Sequence, residues 1–171
     1  MEMMEAAHIP SRDLLAAIGE VSLRHEQMHH ALKMMIKSLA NLKPAEAIAA
    51  IGYDGAMQLR KDIQKLARKV LSIGTPYYKV RAMLTVCEKL TEERNTLIHG
   101  LWAEKENGET HIRDIDGTSR PLPTAEQLKH LADEMAKITH VMHRERLKGF
   151  LAKALAEIYS TPAKYNHDVN K

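Results

Sequence analysis

Apolar residues recur at intervals of three and four along most of the chain, which is the period of an amphipathic helix. Four long segments carry this pattern, at about 11–41, 55–71, 76–99 and 124–158. Pro44 and the residues AEAIAAI after it predict one further short helix, which Gly52 ends. In the last long segment, Thr124 and Gln127 have capping-box spacing, and Gly149 is a candidate position for a bend.

One stretch between the last two long segments predicts strands instead. It reads LWAEKENGETHIRDIDG from Leu101 onward, and apolar and polar residues alternate in part of it. Asn107 and Gly108 suit the two positive φ angles of a type I′ turn, and Gly100 is expected to end the preceding helix in a left-handed conformation. The predicted fold is therefore mainly α: a helical bundle of four to five helices with one β-hairpin inserted before the last long helix.

Length and composition indicate one globular domain. The chain has 171 residues, of which 44% are hydrophobic and 27% are charged. We assign residues 1–160 to a single helical domain and expect 161–171 to form a flexible C-terminal tail. No run approaches the roughly 18 apolar residues that a membrane span needs, and the N-terminus lacks a signal-peptide pattern. A single cysteine, Cys87, fits a reducing compartment, so we expect a cytoplasmic protein with no membrane association.

The first candidate site is the stretch HEQMHH, because HEQMH has the zinc-protease pattern H-E-x-x-H. On a helix, His25 and His29 lie one turn apart as two zinc ligands would, with Glu26 as the base. A third ligand is required, and the metzincin continuation fails because Leu32 stands where glycine is expected. The alternative, which we favour, is that His25 borders the apolar stripe while Glu26 and His30 face solvent.

The second candidate site is the stretch EERNTLIHGLW near the end of the fourth long helix. Helical phase puts Arg94 on the same stripe as Leu90 and Leu97, so a guanidinium interrupts the apolar face. Burying this group without a partner is unfavourable. We therefore expect Arg94 to meet an anion, a carboxylate or a water-filled cleft.

The spacing of Arg94, Asn95 and His99 restricts how they can act together. Asn95 and His99 are four residues apart, so an amide–imidazole hydrogen bond is available. Arg94 and His99 differ by about 140° around an ideal helix. They converge if the arginine side chain curls round, if the last turn distorts near Gly100, or if a second subunit completes the site. A homodimer is the simplest of these solutions, because two copies of the motif then face a shared groove.

At these residues the chain resembles the HEPN superfamily (higher eukaryotes and prokaryotes nucleotide-binding domains). The hallmark of that superfamily is R-x4-6-H, frequently R-N-x-x-x-H, on an all-helical bundle, and residues 94–99 read RNTLIH. The continuation His99-Gly100-Leu101-Trp102 is similar to that of small bacterial HEPN-like proteins, in which H-G-x-W leads into a hairpin. The order of the predicted elements agrees with this resemblance over most of the chain.

The resemblance implies metal-independent RNA cleavage that leaves a cyclic phosphate and needs no cofactor. Arg94 and His99 are then catalytic, and Asn95 holds the imidazole or the backbone in place. The expected setting is defence or a toxin–antitoxin system, with RNA and a cognate protein as expected partners. The superfamily also contains non-catalytic interaction and nucleotide-binding modules, so that reading remains open beside the nuclease.

A modest positive charge is compatible with a nucleic acid partner. The formal net charge is +3 at pH 7. Lys137, Arg144 and Lys148 align on the last long helix, where they could follow a phosphate backbone. The same pattern is typical of a solvated helix face, and the neighbouring acid Glu145 favours that interpretation.

Overall fold

A computed structural model of the chain describes residues 6–43, 45–46, 49, 52 and 54–160. The helices in this part of the chain are α1 (Arg12–Leu39), α2 (Ala56–Leu71), α3 (Thr75–His99), α4 (Ala125–Leu147) and α5 (Phe150–Ser160). The strands are β1 (Ala6–Ala7), β2 (Leu101–Glu104), β3 (Thr110–Arg113) and β4 (Ser119–Pro121). The prediction of a mainly α bundle with a hairpin before the last helices is confirmed. The tail expected at 161–171 lies outside the described residues, as does most of the short helix expected after Pro44.

The core lies between α1 and the three helices that surround it. α1 runs along α4 and also packs against α2 and α3. Its apolar stripe is fully buried and consists of Val21, Met28, Leu32, Met35 and Leu39. Truncating one such Leu or Met side chain to Ala costs about 2–5 kcal/mol in proteins generally, so this stripe dominates the stability of the bundle. None of the described helices is long and apolar enough to cross a membrane.

The end of α1 is determined by backbone conformation. Asn41 has a positive φ of 52°, and the N–H of Leu42 donates to the carbonyl of Lys37 at 3.0 Å. This pattern is a Schellman-type C-cap, and asparagine is among the few residues that adopt it readily. The helix therefore ends at Leu39. A proline disfavours a helical conformation only for the residue directly before it, so Pro44 is too far along the chain to determine this end.

The last long helix of the sequence prediction is divided in two. α4 begins with the predicted capping box between Thr124 and Gln127 and ends at Leu147, and α5 begins at Phe150. The carboxylate of Glu145 accepts a hydrogen bond from the N–H of Phe150 at 3.1 Å, so that a side chain from α4 caps α5. Gly149 thus marks a break rather than a bend.

The sheet is larger than the predicted hairpin, because β1 and β4 add to its two edges in the antiparallel order β1-β2-β3-β4. The prediction of a type I′ turn is wrong: Gly108 has a φ of 82°, and Asn107 is not among the residues with positive φ. The N–H of Gly108 donates to Lys105, and the N–H of Lys105 donates to Glu109. This is a three-residue loop with one left-handed glycine, which places the φ > 0 requirement on Gly108 alone.

Gly100 joins α3 to β2 without a left-handed backbone, contrary to the prediction. Its φ is −73°, so conformation alone does not require glycine. A Cβ at this position would lie 2.3 Å from Cγ2 of Ile112 and 2.6 Å from the carbonyl oxygen of Thr96. Glycine is needed here because β3 packs directly against the end of α3.

Candidate functional site

The RNTLIH motif forms the last turn and a half of α3. Arg94 is half-buried, whereas Asn95 and His99 are exposed. The Nη1 group of Arg94 donates to Oδ1 of Asn95 at 3.2 Å. The amide thus orients the guanidinium. The four-residue spacing had suggested that this amide would bond to the imidazole of His99 instead. We call the surface formed by Arg94, Asn95, Ile98 and His99 the motif face.

Arg94 and His99 are not hydrogen-bonded to each other in the single chain. The helix remains regular up to His99, so distortion of its last turn does not bring the two side chains together. Within the described part of the chain, no residue hydrogen-bonds to the ring of His99. The guanidinium and the imidazole therefore lie at one helix end without a hydrogen bond between them, and neither lines the cleft that α3 forms with β3, β4 and α4.

The sheet holds the end of α3 rigidly. The indole Nε1–H of Trp102 donates to the carbonyl of Leu97 at 3.0 Å, which satisfies one of the carbonyls that a helix C-terminus leaves unpaired. Gly100 is in contact with Ile112 on the other side. These two contacts fix the position of His99 through the backbone, a role for Trp102 that the motif alone did not indicate.

The two candidate motifs of the sequence lie near each other, on α1 and α3. His25 is only 6% exposed, and its pKa is lowered first by burial and then by the charge of Arg94. Neither ring nitrogen of His25 hydrogen-bonds to a described residue, and the same holds for the buried Nε of Arg94. The phase of α1 predicted that His25 borders the apolar stripe, but it did not indicate that Arg94 lies near it.

Within the part of the chain that the structure describes, the zinc interpretation of HEQMH lacks a third ligand. The Nε2 of His29 lies 2.8 Å from the backbone carbonyl of Asp54. Because a carbonyl only accepts, this nitrogen carries a proton and is not available to a metal ion, which leaves Nδ1 as the nitrogen of His29 that could bind one. Among the described residues, no group of three His, Cys, Asp or Glu side chains is arranged to hold a metal ion. Glu26 and His30 face solvent, as the alternative interpretation predicted.

A cleft of about 630 Å³ opens on the other side of the same helix. Its floor is apolar and its rim is polar; the lining includes Leu97, Ile112, Leu122, Leu128, Leu131, Glu93, Arg120, Glu126 and His130. Arg120 is paired with Asp114 through Nε, at 2.9 Å, and through Nη2. The carboxylates of Glu93 and Glu126 therefore dominate the charge of the rim, which is unfavourable for a phosphate. Sequence reasoning missed this cleft, because α3, β3, β4 and α4 all contribute to it.

Apolar side chains lie within the motif face and beside it. Ile98 is 39% exposed and Leu101 is 48% exposed. They follow Arg94 on the same stripe of α3 and its continuation into β2. A large apolar side chain in solvent is unremarkable by itself, but two that flank a half-buried guanidinium form a mixed surface of the kind found in protein interfaces.

The three cations proposed to bind phosphate are partly neutralised. Nζ of Lys137 lies 2.6 Å from a carboxylate oxygen of Glu134, and Arg144 donates to Glu145 through Nε at 2.8 Å and Nη2 at 2.6 Å. Lys148 is exposed at the end of α4. These ion pairs favour the solvated-face interpretation of the stripe over a dedicated track for nucleic acid.

Comparisons with known proteins do not bear on the resemblance to the HEPN superfamily. The chain matches no protein-family model, no curated protein sequence and no solved structure at a significant level. The resemblance to the HEPN superfamily therefore rests on residues 94–102 and on the helical bundle with its sheet before the last helices.

Proposed function

We propose that this protein is a metal-independent RNA endonuclease of HEPN type, with Arg94 and His99 as catalytic residues and Asn95 in support. The observation that carries the proposal is the half-buried Arg94, oriented by Asn95 at 3.2 Å, beside an exposed His99 on a rigidly held helix end. A permanently charged fork and a titratable ring on one open surface are suited to phosphate chemistry.

In the proposed reaction, the 2′-oxygen of a ribose forms a bond to the adjacent phosphorus, and the bond from phosphorus to the 5′-oxygen breaks. His99 accepts the proton of the 2′-hydroxyl, since a neutral imidazole can act as a general base. The second copy of His99 donates a proton to the departing 5′-oxygen. Arg94 stabilises the negative charge that accumulates on the phosphate oxygens. The products are a 2′,3′-cyclic phosphate and a 5′-hydroxyl.

The proposed active form is a homodimer. Two motif faces in contact would cover Ile98 and Leu101, which are 39% and 48% exposed in the single chain. The same contact would bring Arg94 and His99 of two chains around one groove, which removes the difficulty of their separation of about 140° on one helix. A two-fold axis is the common symmetry for such self-complementary surfaces.

By resemblance alone, we propose a cytoplasmic setting in defence or in a toxin–antitoxin pair. A growth-arresting nuclease would need a cognate protein to restrain it. Such a partner would act most directly by covering the motif face.

The test is cleavage of structured and unstructured RNA by the purified protein, with and without a chelator. We expect chelator-resistant cutting, 2′,3′-cyclic phosphate ends, and a loss of at least about a hundredfold in Arg94→Ala and in His99→Ala. His130→Ala is the matched control, because His130 is an exposed histidine that lines the cleft instead. Activity that survives in His99→Ala, or that a chelator removes, would overturn the proposal.

The second candidate function is a non-catalytic interaction or nucleotide-binding module. The cleft of about 630 Å³ favours it, because this concave site is complete in one chain. RNA that stays intact throughout, with a folded and dimeric protein, would favour this function. The acidic rim would then point to a protein or a cationic ligand rather than a nucleotide.

A further inference from the structure

We propose that a hollow between α2 and α3 is a phosphate-binding site formed by Arg60, Lys61 and Arg81. The ligand is a phosphate group, carried either by an RNA strand or by a small phosphorylated molecule. The site itself does not depend on the proposed function, whereas its use for a cleaved RNA rests on that function. The experiments below separate the two sources of phosphate.

The first argument is the size and lining of the hollow. Its volume is about 240 Å³, and most of its lining residues are polar. Besides the three cations, the polar lining consists of Gln64, Thr85 and Glu88. Sites for drug-sized ligands usually measure about 300–1,000 Å³. The hollow therefore suits a phosphate group with some hydration water better than it suits a whole nucleotide.

The second argument is the ion pair that holds Arg60 in place. Nη2 of Arg60 lies 3.2 Å from Oε1 of Glu88, and the arginine side chain is only 12% exposed. This pair neutralises the carboxylate that lines the hollow. Nη1 of Arg60 has no hydrogen-bond partner among the described residues, so the guanidinium keeps a donor that Glu88 does not use. The charge left in the hollow is therefore that of Lys61 and Arg81.

The third argument is that these two cations are not balanced by acids. Both are exposed, and neither forms an ion pair in the part of the chain that the structure describes. Cζ of Arg81 lies 6.0 Å from the centroid of the Tyr77 ring, a cation–π contact that does not use the N–H groups of the guanidinium. By contrast, Lys137 and Arg144 on α4 each contact a carboxylate. The hollow is therefore better suited to an anion than the cationic stripe of α4.

The fourth argument is the position of the hollow relative to the motif face. Arg81 and His99 are 18 residues apart on α3, which is five full turns of an ideal helix, so they lie on the same side of it. At a rise of 1.5 Å per residue, they are about 27 Å apart along the helix. A strand stacked as in a duplex rises about 3.4 Å per nucleotide and covers this distance in about eight nucleotides. An RNA strand that reacts at His99 can therefore place a distant phosphate in the hollow.

The first experiment uses inorganic phosphate, followed by NMR of the backbone amides at pH 7.5 and constant ionic strength. We expect saturable shifts in residues 57–64 and 81–88 of the wild type. Lys61→Gln and Arg81→Gln should each raise Kd by about fivefold, because each removes one charge that contacts the anion. Lys89→Gln is the matched control, since Lys89 is an exposed cation of α3 that lines a different hollow, and its Kd should stay within about twofold. Equal Kd values in the three variants, or no saturable shift in the wild type, would overturn the proposal.

The second experiment uses an RNA of about twelve nucleotides with methylated 2′-hydroxyls, so that binding is measured without cleavage. If the phosphate belongs to RNA, Lys61→Gln and Arg81→Gln should each weaken binding and reduce the slope of log K against log salt by about 0.7, the value for one phosphate contact on a single strand. A methylated trinucleotide is too short to span the two sites, so its binding should not change. If inorganic phosphate depends on the two cations and the long RNA does not, the site is supported and its ligand is a small phosphorylated molecule.

Glu92 supplies a test with the opposite sign. It lies on α3 between Arg81 and His99 and on the same side of the helix, and no ion pair with it occurs among the described residues. Glu92→Gln should therefore strengthen binding of the long RNA by about twofold, because it removes repulsion of the strand, and leave binding of inorganic phosphate unchanged. Weaker binding of the long RNA in Glu92→Gln would contradict a strand that runs along this side of α3.

Cleavage assays distinguish the failure of the two proposals. If the wild type cuts RNA, Arg81→Gln should raise KM for the unmethylated long RNA by about fivefold and leave kcat unchanged, because the lost contact is remote from the reacting atoms. If phosphate binds in the hollow but no RNA is cut, the proposed function fails and the inference stands. If RNA is cut and phosphate does not bind in the hollow, the inference fails and the proposed function stands.

Discussion

The two sides of α3 near its C-terminus differ in how complete they are. On one side, the motif face carries Arg94 and His99 together with the exposed Ile98. On the other side, Glu93 and Leu97 line an open cleft of about 630 Å³ to which β3, β4 and α4 also contribute. The residues suited to phosphate chemistry lie outside this cleft, and the cleft itself has an acidic rim.

This difference indicates that concavity alone is a poor guide to the site in this protein. A single chain is expected to place its ligand in the largest apolar pocket with convergent polar groups. Here Arg94, Asn95 and His99 of the motif stand outside the apolar cleft. Under the proposed function, a second molecule that covers the motif face would complete the site.

The largest expected effect comes from a charge placed on the motif face. Ile98→Glu should yield a monomer and lose RNA cleavage, because burying an unpaired carboxylate in the interface disfavours association by about a hundredfold or more. Val86→Glu is the matched control: Val86 lies on the same helix and is 40% exposed, compared with 39% for Ile98, but it lines a groove on the α4 side.

Analytical ultracentrifugation and the cleavage assay check both variants. Val86→Glu should remain dimeric and active. A monomeric Val86→Glu beside a dimeric Ile98→Glu would reverse the comparison and place the interface on the side of the cleft. A monomeric wild type that cuts RNA would show that one motif face suffices.

The next effect concerns the contact that holds the end of α3 against the sheet. Gly100→Ala should lower the free energy of unfolding by about 1–3 kcal/mol, because its Cβ would overlap Ile112 and the carbonyl of Thr96. Gly19→Ala, at an exposed position in α1 with no atom within 4 Å, should instead raise it by about 0.5–1 kcal/mol. Urea denaturation followed by circular dichroism measures both, and equal values would contradict the close approach of β3.

The helices and the burial of Arg94 could be predicted from the sequence, because both follow from the 3.6-residue period. α1, α2 and α3 begin and end within about two residues of the expected positions. Arg94 lies on an apolar stripe and is half-buried as a result. The capping box of α4 could be predicted for the same reason, since Thr124 and Gln127 interact locally.

Features that depend on tertiary packing could not be predicted in this way. β1 is two alanines with no alternating pattern, and it forms a strand only because β2 offers an edge. The role of Gly100 depends on how close Ile112 approaches, which no local signal encodes. The proximity of His25 to Arg94 depends on how α1 packs against α3, and the cleft depends on four elements at once.

The smallest expected effect tests whether the hydrogen bond of Trp102 to the backbone at the end of α3 positions His99. Trp102→Phe removes the donor to the carbonyl of Leu97, and we expect a loss of about 1 kcal/mol in the free energy of unfolding. Tyr159→Phe is the matched control, because the hydroxyl of Tyr159 donates to the carbonyl of Leu39 at 2.7 Å, at the end of α1. Each substitution frees one carbonyl at the end of a helix, and each keeps an aromatic ring.

If the end of α3 positions His99, RNA cleavage should fall in Trp102→Phe and stay unchanged in Tyr159→Phe at matched stability. Equal cleavage in the two variants would mean that the last turn of α3 keeps its geometry without the indole, and that the contact with Gly100 is sufficient.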